Sequence, residues 1–368
     1  MHCVYYPPEV GGLESHVHFL SRALVERGHR VDVVTSHSIP DTPRHETLDG
    51  VRVWRTWFPG RSTLGWIAHA VGSLPRTLQA AQDADVLHAQ AFQSIPPLQA
   101  ARAVHGPPLV ATWHTSHFLR LAGRAGWSTL LGRMVASADA NLAASSEIAE
   151  VATSLAPGHT VEAVTNGVET SLFRPGEPTL QPCEAGGARI VVPRRLFEKN
   201  GVEYFVRALP MILERRAVEA VLVGDGPERA RLERLAHELG VAEHLRFLGA
   251  QPHDAMPGLL SSADLAVFPS LMEATSVAAL ECMACEVPVA ASRVGGLPEI
   301  VDDTVGGLFE PADPEDLARC VSVLLERNDL HAVGARARRR VVDHWSNARL
   351  ASRHIEIYED VIARRKAA

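Results

Sequence analysis

Two glutamates in the second half of the chain have the spacing of a pair that binds hydroxyl groups. Glu273 lies where an apolar run predicted to form a strand gives way to a helix, and Glu281 lies eight residues further along that helix. Carboxylates accept hydrogen bonds from the neighbouring hydroxyls of a sugar or ribose, and the N–H groups of a helix N-terminus bind phosphate or hexose oxygens. The pattern predicts a sugar- or nucleotide-binding site, and its simpler alternative is a pair of solvated helix glutamates.

A basic loop lies upstream of this pair. Arg195 and Lys199 follow a predicted strand, and both can reach one anionic group, the arginine as a fork and the lysine as a point charge. Loop cations are more often simply solvated, so this interpretation depends on the neighbouring motifs. Gly224 follows the next strand, where a glycine turn can line a nucleotide pocket.

The first half contributes a glycine pair and two histidines. Gly11 and Gly12 lie between a strand end and a helix start, where the lack of side chains lets backbone N–H groups approach an anion. His88 and His114 each come just beyond a predicted strand. A histidine in that position is more often structural than ligand-binding, so the pattern alone leaves both roles open.

Alternating strands and helices must position these residues. Short runs rich in branched apolar residues predict strands at 31–35, 51–54, 85–87, 109–112 and 141–144, and at 190–192, 218–223, 246–248, 265–268 and 287–290. Amphipathic stretches between them predict helices, among them 14–27, 202–215 and 228–239. This alternation indicates an α/β fold with parallel sheets covered by helices on both faces.

The chain is long enough for two such domains. It has 368 residues, 46% of them hydrophobic and 21% charged, and a cluster of prolines and glycines at 174–187 predicts a linker. We therefore predict an N-terminal domain at 1–175, a C-terminal domain at 188–345 and a closing helix at 346–368. Residues 1–5 have the pattern of a strand end, which predicts a short first strand or a chain that begins late.

The order of these motifs resembles that of glycosyltransferase family 4. The Glu-x7-Glu pair is similar to the family's donor-site signature, and 195–201 is similar to its Arg-Leu-x-x-Lys-x-Gly element. Gly-Gly-x-Glu-x-His and Thr-x-His are similar to two family motifs in the first half. The resemblance implies the GT-B fold, in which two doubly wound Rossmann-like domains face a central cleft and a C-terminal helix closes back on the first domain.

The resemblance also implies a role for each residue. His114 and Glu273 would be the catalytic residues, both of them in contact with the donor sugar. Nine residues would bind the donor, namely Gly11, Gly12, Arg195, Lys199, Gly224, Thr275, Ser276, Val277 and Glu281. Of these, Arg195 and Lys199 would bind its diphosphate, and Glu281 would bind its ribose. The segment 274–276 departs from the Gly-Phe-Gly that the family often has there, which leaves the identity of the sugar open.

The activity implied by the resemblance is transfer of a hexose from a nucleotide diphosphate sugar to an acceptor hydroxyl, with retention of anomeric configuration. UDP- and GDP-sugars are the favoured donors, no cofactor is expected, and glycolipid or cell-surface polysaccharide synthesis is the favoured setting. One alternative is a sugar-nucleotide epimerase on the same architecture, which the donor motifs fit less well. The other is a non-catalytic sugar-nucleotide-binding protein, which we would expect to lack Arg195, Lys199 or Glu281.

We predict no metal site. Several pairs have a spacing found in metal sites but lack matched further ligands, namely Asp83 and Asp85, Cys282 and Cys285, His16 and His18, and His114 with His117. The first pair also precedes a buried strand, and the two cations make a metal unnecessary for holding a diphosphate.

Charge and composition restrict the partners. A net charge of −7 argues against nucleic acid, and five cysteines make no disulfide framework. No leader peptide or long apolar stretch is present, so we predict a cytoplasmic protein, with contact to the inner face of the membrane left open. The segment 117–134 mixes three arginines with apolar side chains and is compatible with a membrane surface or a lipid-linked acceptor. A domain helix with a solvated basic face is the favoured alternative, and the aromatic residues Trp54, Trp57, Phe58 and Trp66 raise the same question.

Overall fold

The computed structural model describes residues 1–9, 11–183, 187–273 and 276–367, without the side chains of Thr115 and Ser116. The chain forms two compact units. The first contains Met1–Gly167 and Asn347–Ala368, and the second contains Val168–Ser346. Each unit has a largely parallel sheet with helices packed on it, so the predicted α/β class is confirmed.

The first regular element of the first unit is a helix, and alternating strands and helices follow it. Its strands are β1 (Asp32–Ser36), β2 (His45–Leu48), β3 (Val51–Thr56), β4 (Leu87–Gln90), β5 (Leu109–Trp113), β6 (Ala140–Ala143) and β7 (Val161–Ala163). Its helices up to this point are α1 (Gly12–Val25), α2 (Thr63–Ala81), α3 (Ile95–His105), α4 (Thr115–Ala122), α5 (Trp127–Ala136) and α6 (Ser146–Leu155), with a 3₁₀ turn at Phe92–Ser94. The strands pair in the order β1-β3-β2 and β4-β5-β6-β7, and only the β2–β3 pair is antiparallel.

A short extended segment at the start of the chain joins these two groups of strands. His2 forms parallel bridges with Val34 of β1 and with Ala89 of β4. Its backbone N–H donates to His88 O at 2.9 Å. Residues 1–4 therefore occupy the centre of the sheet, and the loop that follows them leaves from its carboxyl edge and leads to α1.

The second unit is a six-stranded parallel sheet between helices. Its strands are β8 (Ala188–Val192), β9 (Val218–Val223), β10 (Leu245–Gly249), β11 (Leu265–Phe268), β12 (Val289–Ser292) and β13 (Gly306–Phe309). Its helices are α7 (Val202–Leu213), α8 (Arg229–Glu238), α9 (Met256–Leu260), α10 (Val277–Ala284), α11 (Leu297–Ile300), α12 (Pro314–Leu325) and α13 (Leu330–Trp345), with 3₁₀ turns at Glu198–Asn200 and Ala242–His244. The strand order is β10-β9-β8-β11-β12-β13.

The apolar pattern of the sequence explains this packing. All residues of β8 are buried, as expected for a central parallel strand with helices on both faces. In α7 the buried residues Val202, Phe205, Val206 and Leu209 recur every three or four positions and face the same core as β8 and β9.

The boundary between the units lies earlier than the linker predicted at 174–187. Residues 168–175, which we predict in the N-terminal domain, belong to the second unit. Val168 donates its N–H to Trp345 O at 2.8 Å, and Phe173 is fully buried in the second unit's core. Thr179 then donates its N–H to Gly258 O at 3.2 Å. The prolines and glycines break the sequence periodicity, but this segment is tied to the second unit by its own backbone bonds.

The last helix, α14 (Asn347–Ala367), belongs to the first unit although it is furthest from it in sequence. Leu350 and Tyr358 are buried in one apolar cluster with Leu20 of α1. Arg353 donates to both carboxylate oxygens of Glu162, in β7, at 2.7 and 2.8 Å. The helix therefore completes the core of the first unit.

The segment 117–134, whose arginines suggest a membrane surface, lies mostly in α4 and α5. Its apolar residues Phe118, Leu121 and Leu131 are buried. Arg120 and Arg124 are exposed. The segment thus forms domain helices with an exposed basic side, and whether that side contacts a membrane stays a prediction.

Candidate active site

Four loops of the second unit meet at the carboxyl edge of its sheet, after β8, β9, β11 and β12. Because β9 and β10 lie on one side of β8 while β11 to β13 lie on the other, the chain reverses direction across the sheet between β8 and β11. Parallel sheets bind ligands at such a reversal, since the loops diverge there and leave a crevice. The predicted donor residues of this unit that the structure describes lie on these loops or on α10.

Glu273 is held by Arg194, the residue just before the predicted cation Arg195. The two side chains form an ion pair in which the arginine is 10% exposed and the glutamate 15%. The same guanidinium donates to Asn200 Oδ1 at 2.9 Å and to Ser276 Oγ at 3.4 Å. Such nearly buried charges persist only when further hydrogen bonds satisfy them, and these groups supply the bonds. The carboxylate of Glu273 is therefore fixed in position.

The two predicted diphosphate-binding cations lie on the same loop in more open positions. Arg195 is exposed, with its guanidinium carbon 5.6 Å from the centre of the Phe197 ring. Lys199 is exposed too, and its carbonyl accepts a hydrogen bond from Leu271 N at 2.9 Å. The loop of Lys199 is thereby tied to the loop that carries Glu273. The roles of both cations stay predictions.

Glycines allow these loops to approach one another at backbone distance. A Cβ on Gly224, where φ is 147°, would lie 2.2 Å from Arg194 O. A Cβ on Gly295, where φ is 51°, would lie 1.6 Å from Glu273 O. Neither gap admits a side chain, and L-residues rarely adopt these φ values. From the sequence we predict Gly224 as a pocket residue but assign no role to Gly295. A signal was present, because Gly295 and Gly296 follow a strand, as Gly11 and Gly12 do.

Glu281, the predicted ribose ligand, lies on α10 and is 9% exposed. Its Oε1 is 3.0 Å from His253 Nε2, and the histidine ring meets the buried Phe173 edge-on with 4.9 Å between ring centres. Burial raises the pKa of the Glu281 carboxyl, and the hydrogen bond with Glu281 raises the pKa of His253. The sequence alone gives His253 no role, because 28 residues separate the pair and no motif links them.

The start of α10 lies beside the Arg194–Glu273 pair. Val277 is the first residue of the helix, and Ser276 caps it by accepting a hydrogen bond from Ala279 N at 3.3 Å. The bond from Arg194 to the same Ser276 hydroxyl brings the helix N-terminus to the site. Thr275, the remaining predicted residue of this segment, lies outside the described residues.

In the first unit, His114 is buried at the carboxyl end of β5, with 4% of its surface exposed. Its Nε2 lies 2.9 Å from Gln90 Oε1, and because an amide oxygen can only accept, Nε2 carries the proton. No described residue hydrogen-bonds to Nδ1, which is therefore the bare acceptor nitrogen. Burial lowers the pKa of His114 to about 3, so the ring is neutral at neutral pH. Nδ1 is itself buried in this structure, and the role of His114 toward a ligand stays a prediction.

A group of buried histidines surrounds His114. Nδ1 of His88 is 2.6 Å from Tyr358 Oη, and its Nε2 is 2.7 Å from Thr112 Oγ1. The ring centre of His16 lies 5.1 Å from that of His114. Burial lowers the pKa of His16 and of His88, so the group is kept uncharged. His88 thus belongs to the core around His114.

The glycine pair begins α1. Gly11 is the residue before the helix, and Gly12 is its first residue. The carboxylate of Glu14 folds back over this end, with Oε2 2.2 Å from the position that a Cβ on Gly11 would take. The role of the two glycines in binding a diphosphate stays a prediction.

The residue pairs whose spacing is found in metal sites do not gain a third ligand among the described residues. Throughout the ranges that the structure describes, no three histidines, cysteines or carboxylates are arranged to hold a metal ion. Cys282 and Cys285 are buried and free, with the first inside α10 and the second at its end.

Two family models match successive parts of the chain. Residues 10–172 match Glycosyltransferase Family 4, and residues 184–340 match Glycosyl transferases group 1. Together the two matches cover most of both units described above.

Individual proteins are similar over most of the chain. A phosphatidylinositol N-acetylglucosaminyltransferase subunit of Arabidopsis thaliana is 30% identical, over 86% of this chain and 72% of its own length. D-inositol 3-phosphate glycosyltransferase of Saccharomonospora viridis is 31% identical, over 76% of this chain and 70% of its own length. The structure of Anabaena Alr3699/HepE in complex with UDP and glucose aligns with a TM-score of 0.78 and 18% identity, covering 98% of this chain and 99% of that one.

Arg194→Ala should destabilise the second unit, whereas the neighbouring Arg195→Ala should not. Loss of Arg194 leaves the nearly buried carboxylate of Glu273 without its cation, which costs roughly 3 kcal/mol. The exposed Arg195 should change the free energy of unfolding by less than about 0.5 kcal/mol. Scanning calorimetry of both variants makes the comparison, and equal unfolding temperatures would show that Arg194 does not anchor Glu273.

His253→Gln should destabilise the protein at pH 6.5 and have less effect at pH 9. Because Glu281 raises the pKa of His253 above 6.5, the protonated ring stabilises the folded unit below that pH, and this contribution disappears as the pH rises through the folded pKa. Thermal unfolding at the two pH values measures the difference, with the exposed His244→Gln as the matched control. A loss of equal size at both pH values would contradict the assignment.

Proposed function

The chain belongs to glycosyltransferase family 4 and has the GT-B fold, and from that premise we propose that it transfers a hexose from a nucleotide diphosphate sugar with retention of configuration. The observation that supports this most is the Glu-x7-Glu pair of the second unit. Glu273, on the loop that follows β11, pairs with Arg194, and Glu281, on the helix that comes next, pairs with His253. The solved complex of the Anabaena protein with UDP and glucose supports a nucleotide sugar as the donor.

We assign the donor's parts to residues of the second unit by their chemistry. Glu281, with its Oε1 oriented by His253, would accept hydrogen bonds from the ribose hydroxyls. Lys199 and Arg195 would neutralise the diphosphate, together with the N-terminal end of α10 at Val277. Glu273 would accept from the hexose hydroxyls, and Gly224 would let the backbone approach the nucleotide.

The proposed reaction breaks the bond between C1 of the hexose and the diphosphate oxygen and forms one between C1 and the acceptor oxygen on the same face. Negative charge grows on the leaving diphosphate, and Arg195 and Lys199 would stabilise it electrostatically. Retention through a covalent intermediate would need a carboxylate free to attack C1. Glu273 is engaged by Arg194 and Glu281 by His253, which favours front-face attack, with the leaving phosphate oxygen taking the acceptor's proton.

We propose that His114 accepts a hydrogen bond from a hydroxyl of the transferred sugar. A neutral ring with a bare Nδ1 suits this task, because the lowered pKa of His114 keeps it from becoming a cation at neutral pH. Gln90 would hold the required tautomer through its bond to Nε2. Gly11 and Gly12 would contact the diphosphate through backbone N–H groups at the start of α1.

The proposed acceptor is a hydroxyl of a glycolipid or of a cell-surface polysaccharide precursor. Both relatives described above are named for inositol-containing acceptors, one of them a phosphatidylinositol lipid. No cofactor enters the proposed reaction, because the donor carries its own leaving group. A cytoplasmic location stays a prediction.

A nucleotide sugar should raise the unfolding temperature of the wild-type protein but not that of Glu281→Gln. The substitution keeps the size of the side chain and removes the charge that would bind the ribose hydroxyls. At a donor concentration of about 100 times Kd, binding adds roughly 2.7 kcal/mol of stability. The measurement is a thermal-shift panel of UDP-, GDP-, ADP- and TDP-sugars, and stabilisation by none of them would be strong evidence against the donor site.

Product analysis separates the proposed transferase from its alternatives. The transferase should release nucleoside diphosphate, and NMR of the transferred or hydrolysed sugar should show the anomer of the donor. An epimerase would instead change the configuration of a ring carbon in the sugar nucleotide without an acceptor. Binding without any product would indicate a non-catalytic protein.

Gly295→Ala should weaken donor binding at least about tenfold, because displacing the backbone of Glu273 by even about 1 Å disturbs the contacts to the hexose. Its matched control is Gly240→Ala, which shares the positive φ (69° against 51°) but has nothing within 4 Å of the added Cβ. Titration of both variants with the donor found in the panel makes the comparison. Equal affinities would mean that the position of Glu273 does not affect binding.

A further inference from the structure

Helix α2 of the first unit has its polar side inside and its apolar side outside. The buried residues along it include His69, Ser73 and Thr77. His2 Nε2 lies 3.0 Å from Ser73 Oγ, and His69 Nδ1 lies 3.3 Å from Thr56 Oγ1. A helix facing water normally has the opposite arrangement, with its apolar stripe toward the core.

The outer face carries three large aliphatic residues, which we call the α2 stripe: Leu64, Ile67 and Val71. They are 79%, 57% and 68% exposed, and their spacing of three and four residues puts them on one side of the helix. Trp57, itself 57% exposed, lies beside this helix, with a ring carbon 3.7 Å from the position of a Cβ on Gly72. No charged residue occurs in 62–75. The stripe is therefore an apolar surface without charged side chains among it.

The surroundings of the stripe are basic. Residues 50–138 contain eight arginines, no lysine and two carboxylates, and four of the arginines form ion pairs with carboxylates outside this range. Arg120 and Arg124 are exposed. Arg61, 63% exposed, comes two residues before the helix and forms an ion pair with Glu9 at 2.6 Å. The ring of Trp66 lies 5.4 Å from that of His117, whose pKa is lowered by burial and then by the charges of Arg120 and Arg124. These arginines thus lie near the N-terminal end of α2.

We propose that the α2 stripe docks on the surface of an anionic bilayer, with the arginines at the level of the lipid headgroups. An interfacial helix combines an apolar face with flanking cations, because the face enters the acyl boundary while the cations bind lipid phosphates. A second copy of the chain fits less well, since a two-fold contact would bring Arg120 and Arg124 close to their own copies. Among the described residues no helix has the length and apolar character needed to cross a membrane. This inference is independent of the proposed donor chemistry.

The test is co-sedimentation of the full chain with vesicles of phosphatidylcholine containing about one third phosphatidylserine. The stripe variant Leu64→Gln/Ile67→Gln/Val71→Gln should partition at least about tenfold less than the wild type. The control variant Val104→Gln/Val323→Gln/Val342→Gln alters residues that are 66%, 53% and 39% exposed elsewhere on the chain, and should bind like the wild type. Arg120→Gln/Arg124→Gln should reduce binding to the anionic vesicles and leave the weaker binding to pure phosphatidylcholine unchanged.

Two results would overturn the proposal. The first is that the wild-type protein stays in the supernatant when anionic vesicles are sedimented. The second is that the stripe variant and the control variant bind the vesicles equally. If light scattering showed a dimer that the stripe variant abolishes, the surface would be a protein interface instead. The donor thermal shift of the stripe variant should equal that of the wild type, so failure of the membrane contact is distinguishable from failure of the donor site.

Discussion

The backbone of Glu273 lies so close to Gly295 that no side chain fits between them, and the site of the second unit depends on this contact. Arg194, which holds the Glu273 carboxylate, has its own carbonyl against Gly224. The loops after β8, β9, β11 and β12 are therefore linked through backbone contacts and one ion pair. A site built this way is positioned before any ligand arrives, because the strands of one rigid sheet hold all four loops.

Around the predicted site residues, the two units keep polar groups in their interiors by different means. In the second unit two nearly buried carboxylates each lie beside a basic side chain, Glu273 beside the nearly buried Arg194 and Glu281 beside the exposed His253. In the first unit the histidines around His114 are buried without carboxylate partners, and burial keeps them neutral. Desolvation penalises an unpaired charge. A buried histidine without a partner is therefore neutral, whereas a buried carboxylate keeps its charge only beside a cation. The predicted site residues are thus charged and paired in one unit and neutral in the other.

Much of the fold could be predicted because a buried parallel strand corresponds to an unbroken run of branched apolar residues in the sequence. The predicted strands 218–223 and 265–268 agree with β9 and β11 to the residue. The strands β2, β7 and β13 were not predicted, because none of them is an unbroken run of branched apolar residues. β2 is partly exposed, and β13 begins with two glycines, so neither has a clear apolar pattern. The boundary at Gly167 was also missed, because prolines and glycines mark where periodicity stops rather than which core receives the segment.

The sequence by itself determined the α/β class, the family through its ordered motifs, and the two glutamates eight residues apart. Only the tertiary structure decided that Arg194 rather than Arg195 meets Glu273, that His253 meets Glu281, and that α2 turns its apolar side outward. Those pairs are 79 and 28 residues apart in sequence, and their contacts depend on strand order and on the path of loops that glycines bring together. Periodicity reports which residues share a face of one element. The element that covers that face is decided by how the sheet and helices assemble, and a local sequence pattern does not specify it.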